Sequence, residues 1–199
     1  NCLMLFGAGF DTSASALTWW IGLMATHPGI AARVRDEVAS ADARGADRAE
    51  IARLPLLNAT IKEAMRLYPP STALFTRVAQ KDLTIRGTAI KKGDLIAIPI
   101  WQLHRDPRSF ADPLVYRPER FLPGAPALPR GAFLPFGAGP HFCLGQHFAS
   151  VEMALVAAVL IRHFELSLDA GVSLPEPVVD LALKPKTPMR VRFTRCAAG

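Results

Sequence analysis

The sequence predicts a mostly α-helical, α+β domain, and two kinds of pattern lead to that prediction. Apolar residues recur at helical spacing in four stretches, whereas short apolar runs between residues 73 and 99 and in the tail alternate as strands do. The 199 residues are enough for one domain with a real core. A hydrophobic share of 50% together with 17 prolines indicates a folded, turn-rich chain rather than a disordered one.

The first helical stretch, residues 1–26, carries Asp11 as its single formal charge. Its length and hydropathy would permit a transmembrane helix. Against that interpretation, Asp11, Thr12 and Ser15 cluster in its middle, where an aspartate costs about 2.5–3.5 kcal/mol on membrane insertion. A helix buried in a protein core is therefore favoured. The Thr12 hydroxyl can donate to the carbonyl of Ala8, which would make either a polar notch or a hydrogen-bonded kink without chemistry.

Two further helices precede the strands. One runs from Pro28 to about Ala41 and is charged enough to lie at the surface, and residues 42–53 are predicted to be a polar loop or short helix. The other spans about residues 56–67, where Glu63 and Arg66 lie opposite its apolar stripe. Periodicity alone predicts that these two form an exposed ion pair worth about 0–1 kcal/mol.

Residues 73–99 are predicted to form short strands. Apolar runs at 83–85 and 95–98 flank the turn residues Arg86–Gly87 and Lys92–Asp94, which suggests a hairpin beside a first extended segment, 73–79.

The rest of the chain divides into coil, helix and tail. Residues 101–131 are rich in proline, charge and aromatic side chains, which predicts a long ordered coil. A helix follows Cys143 at once and runs to about His163. The tail shows strand patterning at 165–168 and at 191–193.

A glycine-rich loop, Phe136–Gly145, delivers Cys143 to the start of that last helix. The unpaired N–H groups and the positive end of the helix favour a thiolate there. Glycines at 137, 139 and 145 would let the backbone approach something large and flat. These are the requirements of a haem iron ligand. Two alternatives stay open from the residues alone: an inert buried cysteine, and a zinc site built from Cys143 with His141, His147 and His104.

The composition limits the kinds of partner that the protein is expected to bind and the cellular compartment in which it is expected to lie. The net charge of +6 is moderate and its basic residues are scattered, so nucleic acid is not expected, whereas an acidic protein partner is possible. Three distant cysteines (Cys2, Cys143 and Cys196) do not suggest a disulfide framework, which predicts a reducing, cytoplasmic compartment. No signal peptide is visible. Because the chain begins at Asn1 inside a helix pattern, an upstream membrane anchor would not be visible here.

Four motifs, in order, resemble signatures of the cytochrome P-450 family. The loop fits Phe-x-x-Gly-x-(Arg/His)-x-Cys-x-Gly at every fixed position, and Ala8–Ser13 is similar to the oxygen-activation motif of the family's long central helix. Glu63–Arg66 matches Glu-x-x-Arg, and Pro118–Phe121 matches Pro-Glu-Arg-Phe. The resemblance implies that residues 1–199 are the C-terminal, haem-binding part of a single cytochrome P-450 domain. That fold would have a long central helix, small β-hairpins and a haem-binding cysteine loop.

The resemblance also implies a role for each matching position. Cys143 would be the axial thiolate ligand of haem b iron. The other cofactor-binding positions would be His141 and Arg77 at the propionates, Phe136 beside the sulfur, and Gly137 and Gly145 in the loop.

Two further groups complete the site that the resemblance implies. Asp11 and Thr12 would be catalytic, relaying protons to the co-substrate dioxygen. Glu63, Arg66 and Arg120 would form a buried brace around the haem loop, which contradicts the exposed pair that periodicity predicts.

The expected activity is that of a monooxygenase acting on a small lipophilic molecule, with electrons from a ferredoxin, flavodoxin or flavoprotein reductase. Positions expected to face the substrate are Ala8, Ser71, Thr72, Ala73, Leu74, Phe75, Pro188 and Met189. The alternative is a truncated fragment with weak or no haem binding and no activity by itself, because half a pocket would leave one haem face exposed.

Overall fold

The computed structural model describes residues 2–196, with side chains from residue 6 onward. The helices in this part of the chain are α1 (Cys2–Thr26), α2 (Pro28–Ala43), α3 (Arg48–Ile51), α4 (Pro55–Leu67), α5 (Ile100–Leu103) and α6 (Gln146–His163). The strands are β1 (Arg77–Val78), β2 (Leu83–Ile85), β3 (Thr88–Ile90), β4 (Leu95–Ile96), β5 (Phe164–Ser167), β6 (Pro177–Val179), β7 (Leu183–Pro185) and β8 (Arg192–Arg195). Two short 3-10 helices cover Pro118–Phe121 and Gly139–His141. The prediction of a mostly helical α+β chain is confirmed.

The first strands pair differently from the prediction. β2 pairs with β3 across Arg86–Gly87, and β1 pairs with β4, with Arg77 opposite Ile96. Arg86 and Gly87 both have positive φ, 48° and 82°, which is the geometry of a tight two-residue hairpin turn. That turn joins β2 directly to β3, so the hairpin turns at Arg86–Gly87, and the apolar run at 95–98 pairs with the first extended segment instead.

The tail contains one predicted pair of strands and one that the sequence pattern did not show. β5 pairs with β8, which confirms the strand patterning on either side of the tail. β6 and β7 form a second hairpin. Its strands are three residues long and begin or end on proline, so the apolar alternation was too short to predict them.

The core is formed by α1, α2, α4 and α6. Trp20 in α1 is fully buried, and its indole nitrogen donates to the Thr60 hydroxyl of α4 at 3.0 Å. Tyr116, from the long coil, donates to the carbonyl of the same threonine at 2.9 Å. The buried bond from Trp20 confirms that the second half of α1 lies in the core, whereas residues 6–10 at its start are exposed. Among the described residues, no helix combines the length and apolar character that a membrane crossing requires.

The start of α4 is capped from another helix. Its first residue is Pro55, which has no N–H, and the preceding Leu54 has no capping side chain. Glu37 of α2 supplies both carboxylate oxygens instead, accepting from the amides of Leu56 and Leu57 at 2.9 Å and 2.8 Å. The next amide, that of Asn58, already bonds within the chain to the Leu54 carbonyl. Every donor of the first turn is therefore paired.

Candidate functional site

Cys143 lies at the end of a loop that is tied back on itself. Its own N–H donates to the carbonyl of Phe136 at 2.9 Å, and the amide of Gln146, the first residue of α6, donates to the Cys143 carbonyl at 3.3 Å. The thiol is exposed and free. The loop thus holds the cysteine two residues before Gly145, the N-cap of α6, with its sulfur accessible to a ligand.

The glycines of this loop make close approach possible. Gly137 has a φ of +77°, a conformation that other residues rarely adopt, and a Cβ there would lie 3.4 Å from Leu74. A Cβ on Gly145 would lie 3.9 Å from the Cys143 sulfur. The structure therefore brings the cysteine loop against the segment 71–75, two groups that were predicted separately.

The predicted propionate partners differ in setting. Arg77 begins β1 and is half-buried, and one of its guanidinium nitrogens donates to the carbonyl of Phe75 at 2.8 Å. His141 is exposed at the end of the second 3-10 helix.

Glu63 and Arg66 form an ion pair with no exposed side-chain surface, so the expectation of an exposed pair from periodicity was wrong. Arg66 Nε and Nη2 donate to the two carboxylate oxygens at 2.7 Å and 2.8 Å. Its remaining N–H groups bond the carbonyls of three residues in the long coil, namely His104, Pro113 and Val115. All five donors of the guanidinium are used.

The same carboxylate also binds the coil from the other side. Arg120, which follows Glu119 in the first 3-10 helix, donates from Nε to Glu63 Oε1 at 3.3 Å, and the Arg117 amide donates to the same oxygen at 2.8 Å. The structure thus brings Glu63, Arg66 and Arg120 together. These bonds hold a coil that has almost no regular secondary structure.

His104 is a buried histidine that the sequence suggested only as a zinc ligand. It has no exposed surface, and its Nε2 accepts the Leu134 amide at 2.8 Å. Burial, with a contribution from the charge of Arg66, lowers its pKa to about 4. Its bonded nitrogen cannot join a zinc site at the cysteine loop. Within residues 6–196 no group of three or more His, Cys, Asp or Glu side chains could hold a metal ion.

Asp11 and Thr12 lie on α1. The Thr12 hydroxyl donates to the Ala8 carbonyl at 2.8 Å, as the sequence predicted. Asp11 is partly buried, and its Oδ1 pairs with Nζ of Lys184 on β7 at 3.0 Å. Lys184 was not among the predicted site residues. The two charges are far apart in the chain, so no local pattern joins them.

The tail residues predicted to face a substrate are not all near Ala8. Met189 is half-buried against Gly22 of α1, where a Cβ would lie 2.5 Å from its sulfur. Gly22 is fourteen positions along α1 from Ala8, which is about 21 Å at the rise of an α-helix. Pro188 is exposed. The tail segment that does reach the Asp11 region is the β6–β7 hairpin, whose turn presents Leu181 with 79% of its surface exposed.

The residues around Cys143 fit a haem group. The sulfur is accessible, no side chain stands on Gly137 or Gly145, and the apolar Phe142 and Leu144 beside it are exposed by 47% and 92%. On α1, Phe6 and Phe10 are likewise exposed and stack on each other with centroids 5.8 Å apart. These exposed apolar side chains are available for contact with an apolar group.

Comparison with known proteins gives the same assignment. The family model for cytochrome P-450 matches residues 1–193. Cytochrome P-450 4ae1 of Drosophila melanogaster is 37% identical over 188 residues, which cover 92% of this chain and 37% of that protein. Geranylhydroquinone 3''-hydroxylase of Arnebia euchroma gives the same identity and coverage. The chain thus spans about 37% of the length of these curated relatives.

Solved structures agree with the predicted fold. The retinoic acid-bound cyanobacterial protein CYP120A1 superposes with a TM-score of 0.90 at 36% identity, covering 98% of this chain and 45% of its own. The crystal structure of CYP102L1, described as a cytochrome P-450, gives a TM-score of 0.87 at 32% identity, covering 98% and 44%. With a family model that spans nearly every residue and relatives above 30% identity, this chain belongs to the cytochrome P-450 family.

Proposed function

We propose that this chain is the C-terminal, haem-binding part of a single-domain cytochrome P-450 monooxygenase, which inserts one oxygen atom from dioxygen into an apolar organic substrate. The observation that carries the proposal is the accessible Cys143 sulfur, on a loop tied to Phe136 and placed just before α6. When bound, a haem with a thiolate ligand supplies the activation of dioxygen that this family uses.

The positions of the residues around Cys143 suggest a role for each of them. Cys143 would hold the iron of haem b, and Arg77 and His141 would donate to its propionates. Phe136, half-buried behind the loop, would keep water from the sulfur. Gly137 and Gly145 would leave room for the flat ring.

On α1, Asp11 and Thr12 would hold and move a proton at the carboxylate and hydroxyl oxygens. The Thr12 hydroxyl donates its hydrogen bond to the Ala8 carbonyl, so the hydroxyl oxygen can still accept one from another group. The bonds from Glu63, Arg66 and Arg120 would brace the coil that precedes the cysteine loop.

For the substrate and the redox partner we propose only the chemical class of each. Members of the family generally use lipophilic substrates and a redox partner. We propose that Ala8, Ser71–Phe75 and Pro188 face the substrate, and Leu181 at the hairpin turn is added to that set. The net charge of +6 is compatible with an acidic ferredoxin, a flavodoxin or a flavoprotein reductase. The free Cys143 and Cys196 support a reducing compartment, which we take to be the cytoplasm.

The test of the thiolate is haem titration of the purified chain, followed by the difference spectrum of the reduced, carbon monoxide-treated form. Wild type and Cys196→Ser, which changes the other free cysteine, should give a strongly red-shifted Soret band, and Cys143→Ser should lose it. The same band in Cys143→Ser would refute the assignment. A wild-type chain that takes up no stoichiometric haem would favour the inactive fragment.

The proton-relay role of Thr12 has a matched control on the same helix. Thr18 makes the same kind of bond, from its hydroxyl to the Ala14 carbonyl at 2.8 Å. In the haem-loaded protein supplied with NADPH and a flavoprotein reductase, Thr12→Ala should raise hydrogen peroxide release per NADPH consumed, and Thr18→Ala should not. Equal release from both variants and the wild type would remove Thr12 from the mechanism.

A further inference from the structure

The β6–β7 hairpin is fixed to α1 through the backbone of one residue. The Leu183 carbonyl accepts from the Ser15 hydroxyl and from the Trp19 indole nitrogen, both at 2.7 Å. Its amide donates to the Pro70 carbonyl at 3.0 Å. Leu183, Ser15 and Trp19 are all buried. The position of the next residue, Lys184, is therefore set by buried bonds that do not involve its own side chain.

Lys184 continues the same line of contacts along α1. Asp11, Ser15 and Trp19 are four residues apart, so they lie on one face of the helix, the face that the hairpin covers. From its fixed backbone, Lys184 reaches Asp11 Oδ1 at 3.0 Å. Asp180 in the hairpin turn is a second, weaker neighbour, at 3.5 Å from the ammonium.

The two carboxylate oxygens of Asp11 differ in their hydrogen-bond partners. Oδ1 is held by Lys184, whereas Oδ2 is buried and has no hydrogen-bond partner among the described residues. A buried carboxylate oxygen without a partner is costly, and a catalytic role is one of the explanations for keeping it. The hydrogen bond to Asp11 also raises the pKa of Lys184, so the lysine stays charged at neutral pH.

We propose that Lys184 is a positioning residue, which holds Asp11 by one oxygen so that the second keeps a fixed orientation as a proton acceptor. This inference rests on the proposed proton-relay role of Asp11. A carboxylate tethered at one oxygen cannot rotate freely, and precise orientation is what proton transfer requires. A purely structural role is disfavoured because the three bonds of Leu183 already dock the hairpin without the side chain of Lys184.

The first arm of the test needs no haem. The signal of the Asp11 carboxyl carbon is followed by NMR in wild type, Lys184→Met and Lys184→Arg. Lys186→Met is the matched control, because Lys186 on the same hairpin pairs with exposed Glu176 at 3.0 Å. Lys184→Met should shift the Asp11 signal, Lys184→Arg should largely restore it, and Lys186→Met should leave it unchanged. An unshifted signal in Lys184→Met would overturn the proposal whether or not the chain binds haem.

The second arm supplies the haem-loaded chain with NADPH and a flavoprotein reductase and measures hydrogen peroxide released per NADPH consumed. Lys184→Met should raise that ratio toward the value of Asp11→Asn, with partial rescue by Lys184→Arg. If Asp11→Asn raises the ratio and Lys184→Met does not, the positioning role is refuted and the relay stands. If neither variant changes it, the relay and this inference fall together, while the thiolate assignment is judged separately by Cys143→Ser.

Discussion

The guanidinium of Arg66 in α4 reaches the carbonyl of Pro113 in the long coil at 2.6 Å. The helix residue has no exposed side-chain surface, and the coil residue belongs to a segment with few backbone bonds of its own. The bond therefore joins a rigid element to a coil whose course depends largely on bonds to α4, among them those from Arg117 and Arg120 to Glu63. Because the cysteine loop follows this coil in the chain, its position depends on such ties.

Removing Arg66 should be among the most damaging single changes in the described chain. Arg66→Ala leaves a buried carboxylate short of its main partner and three carbonyls without a donor, which costs about 3–5 kcal/mol of unfolding free energy. Arg66→Lys should recover only part of that loss, because one ammonium cannot replace a five-donor fork. Urea unfolding followed by circular dichroism measures both.

The control for this prediction is an arginine in an exposed pair. Arg33 bonds Glu119 at 2.7 Å with side chains 53% and 43% exposed. Arg33→Ala should cost about 0–1 kcal/mol. Comparable losses in Arg33→Ala and Arg66→Ala would show that the buried network contributes no more than a surface pair.

The burial of His104 should make stability depend on pH. Its pKa is lowered from 6.5 to about 4 in the folded protein. Between these values the unfolded chain carries a proton on this side chain and the folded chain does not, so stability falls as pH falls through the window. The loss approaches about 3 kcal/mol near pH 4. Denaturant midpoints measured from pH 7 to pH 4.5 test the slope.

A variant can assign that slope to His104. His104→Gln keeps an oxygen that can accept the Leu134 amide but cannot be protonated in this range, so its stability should fall less steeply below pH 6.5. His147→Gln, at an exposed histidine, should keep the wild-type slope. Parallel curves for wild type and His104→Gln would contradict the prediction.

The cap that Glu37 provides should contribute more to the free energy of unfolding than the charge of Glu37 would by itself. Glu37→Gln keeps one acceptor and leaves either the Leu56 or the Leu57 amide unpaired at the positive end of α4, at a cost of about 1–2 kcal/mol. Asp36→Asn removes an exposed negative charge from the neighbouring position and should change stability by less than about 0.5 kcal/mol. Thermal unfolding compares them, and equal effects would reduce the cap to a general charge effect.

Local patterns predicted the parts of the molecule that depend on local rules. The helical period located α1, α4 and α6, and the four-residue spacing within α1 predicted the bond from Thr12 to Ala8. The family's fixed residues located Cys143. Each of these signals lies within a short window of sequence, where periodicity or a motif can be read directly.

Contacts between residues far apart in the chain produce no comparable pattern in the sequence. The pairing of Lys184 with Asp11 depends on a hairpin of three-residue strands, and the capping of α4 depends on a glutamate from another helix. Periodicity placed Arg66 on a surface because it treats a helix as having one buried face, whereas α4 is covered on most sides. The family resemblance assigned Met189 to a substrate site, and no local pattern indicates that it packs on Gly22.

The contact between Gly22 and Met189 gives the last prediction. In an open helix Gly→Ala stabilises by up to about 1 kcal/mol, but here the new Cβ would lie 2.5 Å from the Met189 sulfur and 2.8 Å from Leu174. Both side chains can shift at their flexible ends, so overpacking should offset the helix propensity and Gly22→Ala should destabilise by about 0–1 kcal/mol net. Gly29→Ala, in α2 with no atom within 4 Å, should be neutral or stabilising.

A double-mutant cycle identifies the cause. Met189→Ala removes the side chain that the new methyl group meets, so Gly22→Ala should cost less in that background than in wild type, with a coupling of about 1 kcal/mol. Additive losses in the cycle would mean that Met189 does not pack on α1 at this point. The prediction that Met189 faces a substrate would then be supported again.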